Sequence, residues 1–242
     1  MYKWININGT VLPSYGLIIL AAILFSNLIA HRVAKIRKLN YDTLFIFELY
    51  GGIGSYIGAK ALYWIQNGIL PAGAKIGYSM YGGMVIGILL AFVASKVHKL
   101  PFALYMRNFI FLIPFVHGIW KIACFCAGCC YGIKYTGIGA VIFPLGVNRL
   151  SGEKVFPVQI VEAVLLFICM LYYYNKGKHE TEKSLISEYM ICYCLIRFVV
   201  EFFRYHEYHT FLSVAQIDSI TIIAFVFVLR YVKKLSRRSY NE

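Results

Sequence analysis

The sequence predicts an all-α polytopic membrane protein, with about seven transmembrane helices and a Gly-rich outer arm between the fourth and the fifth. Three observations carry that expectation. Of 242 residues, 60% are apolar and only 14% charged, where a soluble domain carries about a quarter charged. Seven windows approach the run of about 20 apolar residues that a bilayer core demands of a helix. The basic residues between those windows collect on one side of the membrane.

The windows fall at roughly 13–30, 43–65, 78–95, 103–125, 157–174, 185–204 and 212–231. The first connection holds Arg32, Lys35, Arg37 and Lys38; the third holds Lys96, Lys99 and Arg107. The fifth holds Lys176, Lys178 and Lys183, and the tail holds Arg230, Lys233, Lys234, Arg237 and Arg238. These make 15 of the 24 Lys and Arg residues, and by the positive-inside rule their side is cytoplasmic. The N-terminus is then expected outside, the C-terminus in the cytoplasm, and residues 1–242 as one membrane domain without a cleavable signal. The formal net charge of +13 does not indicate nucleic-acid binding, because the charge sits in short clusters between apolar runs rather than on one soluble face.

The fourth connection, about 126–156, opens with Gly128-Cys129-Cys130-Tyr131-Gly132 and contains Pro144, which predicts a turn-rich arm at the outer interface. Glycines at three- and four-residue spacing in the second and third windows (Gly51, Gly52, Gly54, Gly58; Gly82, Gly83, Gly87) suit close helix approach in lipid.

Ionisable residues inside membrane helices are costly and mark function by default. In the sixth window Tyr193, Arg197, Glu201 and Arg204 are spaced four, four and three, on one helical face. Arg197 and Glu201 can pair, and a guanidinium fork suits phosphate. A structural ion pair, with Arg204 reaching the outer headgroups, is the competing reading. Lys60, Lys121, Gln159, Glu162 and Tyr15 lie toward the outer half of their windows, so the combined pattern suits an anionic lipid headgroup. Cys124, Cys126, Cys129 and Cys130 form a cluster. Packed thiols in a tight turn, a disulfide, a metal site and a catalytic thiolate all remain open for it. No cofactor is expected and no residue is assigned to a metal.

These segments resemble the prolipoprotein diacylglyceryl transferase family from end to end. Ser14-Tyr15-Gly16-Leu17 is similar to the family's opening, and Gly58-Ala59-Lys60-Ala61-Leu62-Tyr63 to its Gly-x-Arg segment. Tyr81-Gly82-Gly83-Met84-Val85-Ile86-Gly87 is similar to its His-Gly-Gly-x-x-Gly, and Lys99-Leu100-Pro101-Phe102 to its Leu-Pro-Phe turn. Its signature corresponds to Gly118 through Gly132, and Phe156-Pro157-Val158-Gln159 through Glu162 resembles its His-Pro-x-Gln segment. The sixth-window set is intact, and Leu212-Ser213 through Gln216 matches the turn before the last helix. Lys60, Tyr81, Lys121, Cys124 and Phe156 depart from the family's Arg, His, Arg, Asn and His, which resembles a divergent, Cys-rich branch.

The resemblance implies a multi-pass enzyme of the bacterial inner membrane. It would move a diacylglyceryl group from phosphatidylglycerol to the sulfur of a lipobox cysteine in a secreted prolipoprotein or peptide, releasing glycerol phosphate. It assigns Arg197, Arg204, Lys121, Glu201 and Tyr81 to catalysis. Tyr15, Lys60, Gly82, Gly83, Cys124, Gly132, Gln159, Glu162 and Tyr193 are assigned to substrate. A paralogue acting on another acceptor, and a silent lipid-binding or assembly protein, are the alternatives. No residue stands out as the base, since an ordinary tyrosine near pKa 10 is a poor one at neutral pH.

The charge asymmetry predicts that a reporter fused after Glu242 is cytoplasmic and one inserted at Gly137 is external. Both reporters on one side would remove the seven-helix topology.

Overall fold

The computed structural model describes residues 4–7, 10–67, 77–177, 185–207 and 211–241, with side chains for 14–67, 77–177, 185–207 and 211–232. Lys178 and Lys183 therefore lie outside the described residues, as do the side chains of Lys233, Lys234, Arg237 and Arg238. Eight helices occur among the described residues: α1 (Ser14–Ile36), α2 (Tyr41–Asn67), α3 (Met80–Val97), α4 (Phe102–Phe109), α5 (Leu112–Ala127), α6 (Val158–Lys176), α7 (Leu185–Glu201) and α8 (Val214–Asn241). Two short antiparallel ribbons accompany them, β1 (Trp4–Ile7) with β2 (Thr10–Pro13), and β3 (Val141–Ile142) with β4 (Lys154–Val155).

Four of the helices, α1, α3, α6 and α8 to Val232, are long and apolar enough to cross a membrane. The α4–α5 pair, bent by 44°, would make a fifth. The single helix expected at 103–125 is thus two, with Pro114 in the first turn of α5, where its missing N–H costs nothing. The helix expected at 185–204 stops at Glu201, so Arg204 leaves the helical face it was assigned to. Leu20, Ile23, Leu24, Phe25 and Leu28 of α1 and Phe225, Phe227, Val228 and Leu229 of α8 are exposed, as lipid-facing residues must be.

The chain divides into two compact units, residues 30–106 and residues 1–29 with 107–242. In the first, α2 and α3 run antiparallel at very close range. Cβ atoms built at Gly58 and Gly82 would each collide with the other's carbonyl oxygen, and one at Gly54 would come 2.8 Å from the Ile86 carbonyl. Small residues let the backbones approach that closely where no water drives the helices together. Ser79 caps α3 and donates its backbone N–H to the Ala59 carbonyl at 2.9 Å, fixing where α3 starts against α2. Lys60 lies 4.3 Å from the centre of the Tyr78 ring.

In the second unit α5, α6, α7 and α8 pack in succession. Their core contains Ala123, Leu166, Tyr173, Tyr189, Tyr193 and Cys194. The arm between α5 and α6 folds on a small core of its own, Phe143, Leu150 and Val155 with Phe125, Tyr131 and Tyr205 against it. Its extended segment 131–135 is held from both sides. Ile133 donates to the Phe203 carbonyl at 3.0 Å and Tyr205 to the Tyr131 carbonyl at 3.0 Å; Phe156 donates to the Ile133 carbonyl and Tyr135 to the Lys154 carbonyl, each at 3.0 Å. Gly132 and Arg204 face each other across this pairing, so the arm, not a helix, positions Arg204.

The α2–α3 contact gives a direct test. Gly82→Val should destabilise the protein by about 1–3 kcal/mol through overpacking, read as a lowered melting temperature in detergent. Gly52→Ala, where nothing lies within 4 Å of the new Cβ, should melt like the parent. Equal melting of both variants would remove the close-approach account.

Candidate functional site

Three helices deliver charge to one buried place. On α5, His117, Lys121 and Cys124 follow one another at four and three residues, a single face. On α7, Tyr193, Arg197 and Glu201 do the same at four and four. At the start of α6, Gln159 and Glu162 lie one turn apart. All eight are buried.

Glu162 takes two cations: Lys121 Nζ is 2.9 Å and Arg197 Nη1 3.7 Å from its oxygens. Glu201 takes the other arm of the network. Arg197 Nη2 is 2.7 Å from its Oε2 and Arg204 Nη1 3.5 Å from the same oxygen. On its other oxygen, His206 Nε2 stands at 3.4 Å, and the Ser213 hydroxyl donates at 3.1 Å. Three permanent cations therefore meet two carboxylates, leaving one positive charge in excess. Arg197 Nη1 makes no hydrogen bond among the described residues, so a buried donor and a spare charge coincide.

The segment Leu212-Ser213-Val214-Ala215-Gln216 explains how Ser213 reaches Glu201. Gln216 donates its backbone N–H to the Ser213 hydroxyl at 3.2 Å, and Ser213 donates its own to Gln216 Oε1 at 2.9 Å. This is a capping box, satisfying two orphan donors at the start of α8. The Gln216 amide also donates to the Phe198 carbonyl of α7 at 3.4 Å, so the cap is fastened to the helix that carries Glu201.

The cysteine turn is equally determined. α5 ends with Gly128 in the left-handed region, φ 70°. Gly128 donates to the Phe125 carbonyl and Cys129 to the Cys124 carbonyl, both at 3.1 Å, the two bonds of a Schellman motif. A side chain at 128 would be strained at that φ and would collide with Val147. In this motif the first residue beyond the glycine packs back on the last turn, so Cys129 returns to Cys124. Cys130 follows with φ 58°. The sulfurs of Cys124, Cys129 and Cys130 lie within 4.8 Å of one another, and Cys126 is not among them.

A family model described as prolipoprotein diacylglyceryl transferase matches residues 3–232. The chain belongs to the prolipoprotein diacylglyceryl transferase family. It is 29% identical over 250 residues to phosphatidylglycerol–prolipoprotein diacylglyceryl transferase 2 of Clostridium perfringens, covering 96% of this chain and 95% of the relative. The transferase of Clostridium tetani is 28% identical over 206 residues, 81% and 82% of the two chains. Transferase 1 of C. perfringens is 26% identical over 244 residues, 91% of each.

Of the residues expected at the family's site, Lys121, Glu162, Arg197, Glu201 and Arg204 form the ion network. Tyr193 lies beside it, its ring 5.1 Å from His117. Gln159 donates to the Cys129 carbonyl at 2.8 Å, steadying the cysteine turn, and Cys124 and Gly132 flank that turn. Tyr15 lies edge-on to Trp120, with ring centres 6.3 Å apart. Lys60, Tyr81, Gly82 and Gly83 belong to the other compact unit, where Tyr81, Gly82 and Gly83 are buried on α3. The sequence reading missed three neighbours of the network. His117 is buried with Nδ1 making no hydrogen bond among the described residues; its i,i+4 spacing to Lys121 was the available signal. Ser213 was signalled by its capping box with Gln216. His206, beyond the end of α7, had no signal.

Breaking a buried ion cluster differs sharply from breaking a surface pair. Glu201→Ala removes the carboxylate that Arg204 pairs with and leaves Arg197 with only its 3.7 Å contact to Glu162, and should cost roughly 3–5 kcal/mol of stability. Lys134→Ala removes an exposed pair to Glu153, 2.7 Å apart, and should cost less than about 1 kcal/mol. Unfolding of both variants in the same detergent checks this. Parent-like stability for Glu201→Ala would mean that the network does not hold the helices.

Proposed function

We propose that this chain transfers the diacylglyceryl group of phosphatidylglycerol to the thiol of a lipobox cysteine, with glycerol phosphate as the leaving group. The names of its relatives state the donor and the acceptor class. The observation that carries the reading to this chain's residues is the buried network of Lys121, Arg197 and Arg204 with one positive charge in excess. A phosphate is an anion that fits it, as an acceptor for Arg197 Nη1 and a neutralising partner for the whole.

The reaction builds negative charge on the departing phosphate while a thiolate attacks the glyceryl carbon. Fixed positive charge in a poorly hydrated site stabilises that change without having to reorganise. Arg197, Arg204 and Lys121 supply it. Glu201 orients both guanidinium groups, and Glu162 holds Lys121 and Arg197 together. Tyr15 and Tyr193 are assigned to the substrate by the family resemblance. For Lys60, Tyr81, Gly82 and Gly83 the assignment rests on the family motif. Seven spans, an outside N-terminus, a cytoplasmic C-terminus and an arm in the outer interface complete the reading, placing the cations in the outer half of the membrane where the donor headgroup lies.

Single-turnover transfer of a labelled diacylglyceryl group to a lipobox peptide in nanodiscs tests it. Lys121→Ala should cost about 2–4 kcal/mol in the transition state, roughly 30- to 1000-fold in rate, and Lys121→Arg should retain most of it. Arg197→Ala should abolish transfer, and Arg197→Lys should recover little because an ammonium lacks the planar fork. Parent-like rates for both alanine variants would make the network structural, and no transfer by the parent would sink the reaction.

A further inference from the structure

The ion network supplies cations, and both of its carboxylates are already engaged. It accounts for the leaving group and leaves unexplained how the acceptor thiol loses its proton. The cysteine turn next to it answers that need. Its three sulfurs converge because the Schellman motif folds Cys129 onto Cys124 and the left-handed Cys130 turns back beside them. Around a zinc ion bound at about 2.3 Å, tetrahedral thiolates sit about 3.8 Å apart. Sulfurs already within 4.8 Å of one another need to close by no more than about 1 Å to reach that spacing. Cys124 is buried and Cys129 exposed, so the cluster has a closed floor and an open side.

We propose that Cys124, Cys129 and Cys130 hold a thiophilic divalent ion of the zinc class, whose fourth position takes the acceptor's cysteine sulfur as a thiolate. The proposal rests on the transfer reading above and departs from the sequence-based expectation of no metal. Three protein ligands and an open position are the arrangement of a catalytic rather than a structural zinc, and a coordinated thiol is deprotonated outright. Three thiolates around a dication leave one negative charge, and Arg204 and Lys121 lie within electrostatic reach of Cys130.

The step balances without an oxidant. The acceptor S–H gives its proton to water at the outer face as the sulfur binds the metal. A sulfur lone pair then forms the S–C bond at the glyceryl carbon. The C–O bond to the phosphate breaks, and its electron pair leaves on glycerol phosphate. The metal keeps its oxidation state.

The test uses the full chain purified in detergent with a reductant. Elemental analysis should find one zinc per chain, lost in Cys124→Ser, Cys129→Ser and Cys130→Ser and kept in Cys126→Ser. Cobalt(II) in its place should show a sulfur-to-metal charge-transfer band that strengthens with a lipobox peptide and not with the same peptide carrying Ser for Cys. Stripping the metal should slow transfer at least about tenfold, because an unbound thiol is only a few per cent ionised near neutral pH, and added zinc should restore it. Folded parent without stoichiometric metal would overturn the proposal. So would transfer at an undiminished rate after stripping, a disulfide among the three cysteines in protein isolated without reductant, or bound copper(I) with no response to the peptide. Metal and peptide response without transfer would support the thiolate site and count against the transfer reading.

Discussion

Glu201 is one carboxylate with four partners, two guanidinium groups, an imidazole and a hydroxyl, and the unit built on α5 to α8 is arranged to keep it company. An isolated carboxylate withdrawn from water is costly, so its partners must be delivered from other elements at fixed positions. Arg197 comes from the same helix, Arg204 from the strand pairing beyond it, and Ser213 from the cap of α8. Through Arg197 the constraint passes to Glu162 on α6, and from there to Lys121 on α5. That chain of charges ties together α5, α6, α7 and the start of α8.

A network built this way has a consequence for catalysis. The cations are held by carboxylates that do not fully neutralise them, so under the proposed function they would meet the donor phosphate already oriented. That is the condition under which electrostatic stabilisation is large. Held by solvent instead, the same cations would have to reorganise as the charge developed.

Much of this was legible in the sequence. The spacing of Arg197 and Glu201 gave their ion pair, because i,i+4 on a helix is geometry and little else. The glycine runs gave the α2–α3 contact for the same reason. Arg204 was read onto the same helical face, and this failed because the helix ends at Glu201; the strand pairing that displaces it joins residues some 70 positions apart, and no local pattern encodes it. The break between α4 and α5 was hidden by an apolar run in which Pro114 reads equally well as a kink. Glu162 was read as a substrate ligand, and its pairing with two cations, Lys121 and Arg197, was not foreseen, because it depends on which helices face it. The four cysteines were visible as a cluster, but which three converge was decided by a left-handed Gly128, and a glycine in a sequence does not announce its φ.

The turn at Gly128 also binds three sequence positions into one inherited character. Because the Schellman geometry lays residue 129 on residue 124, and residue 130 turns back against both, a change at one is felt at once by the other two. Along a lineage, the three thiols should be gained together and lost together, and a descendant that replaced Cys124 would leave Cys129 and Cys130 with nothing to answer to.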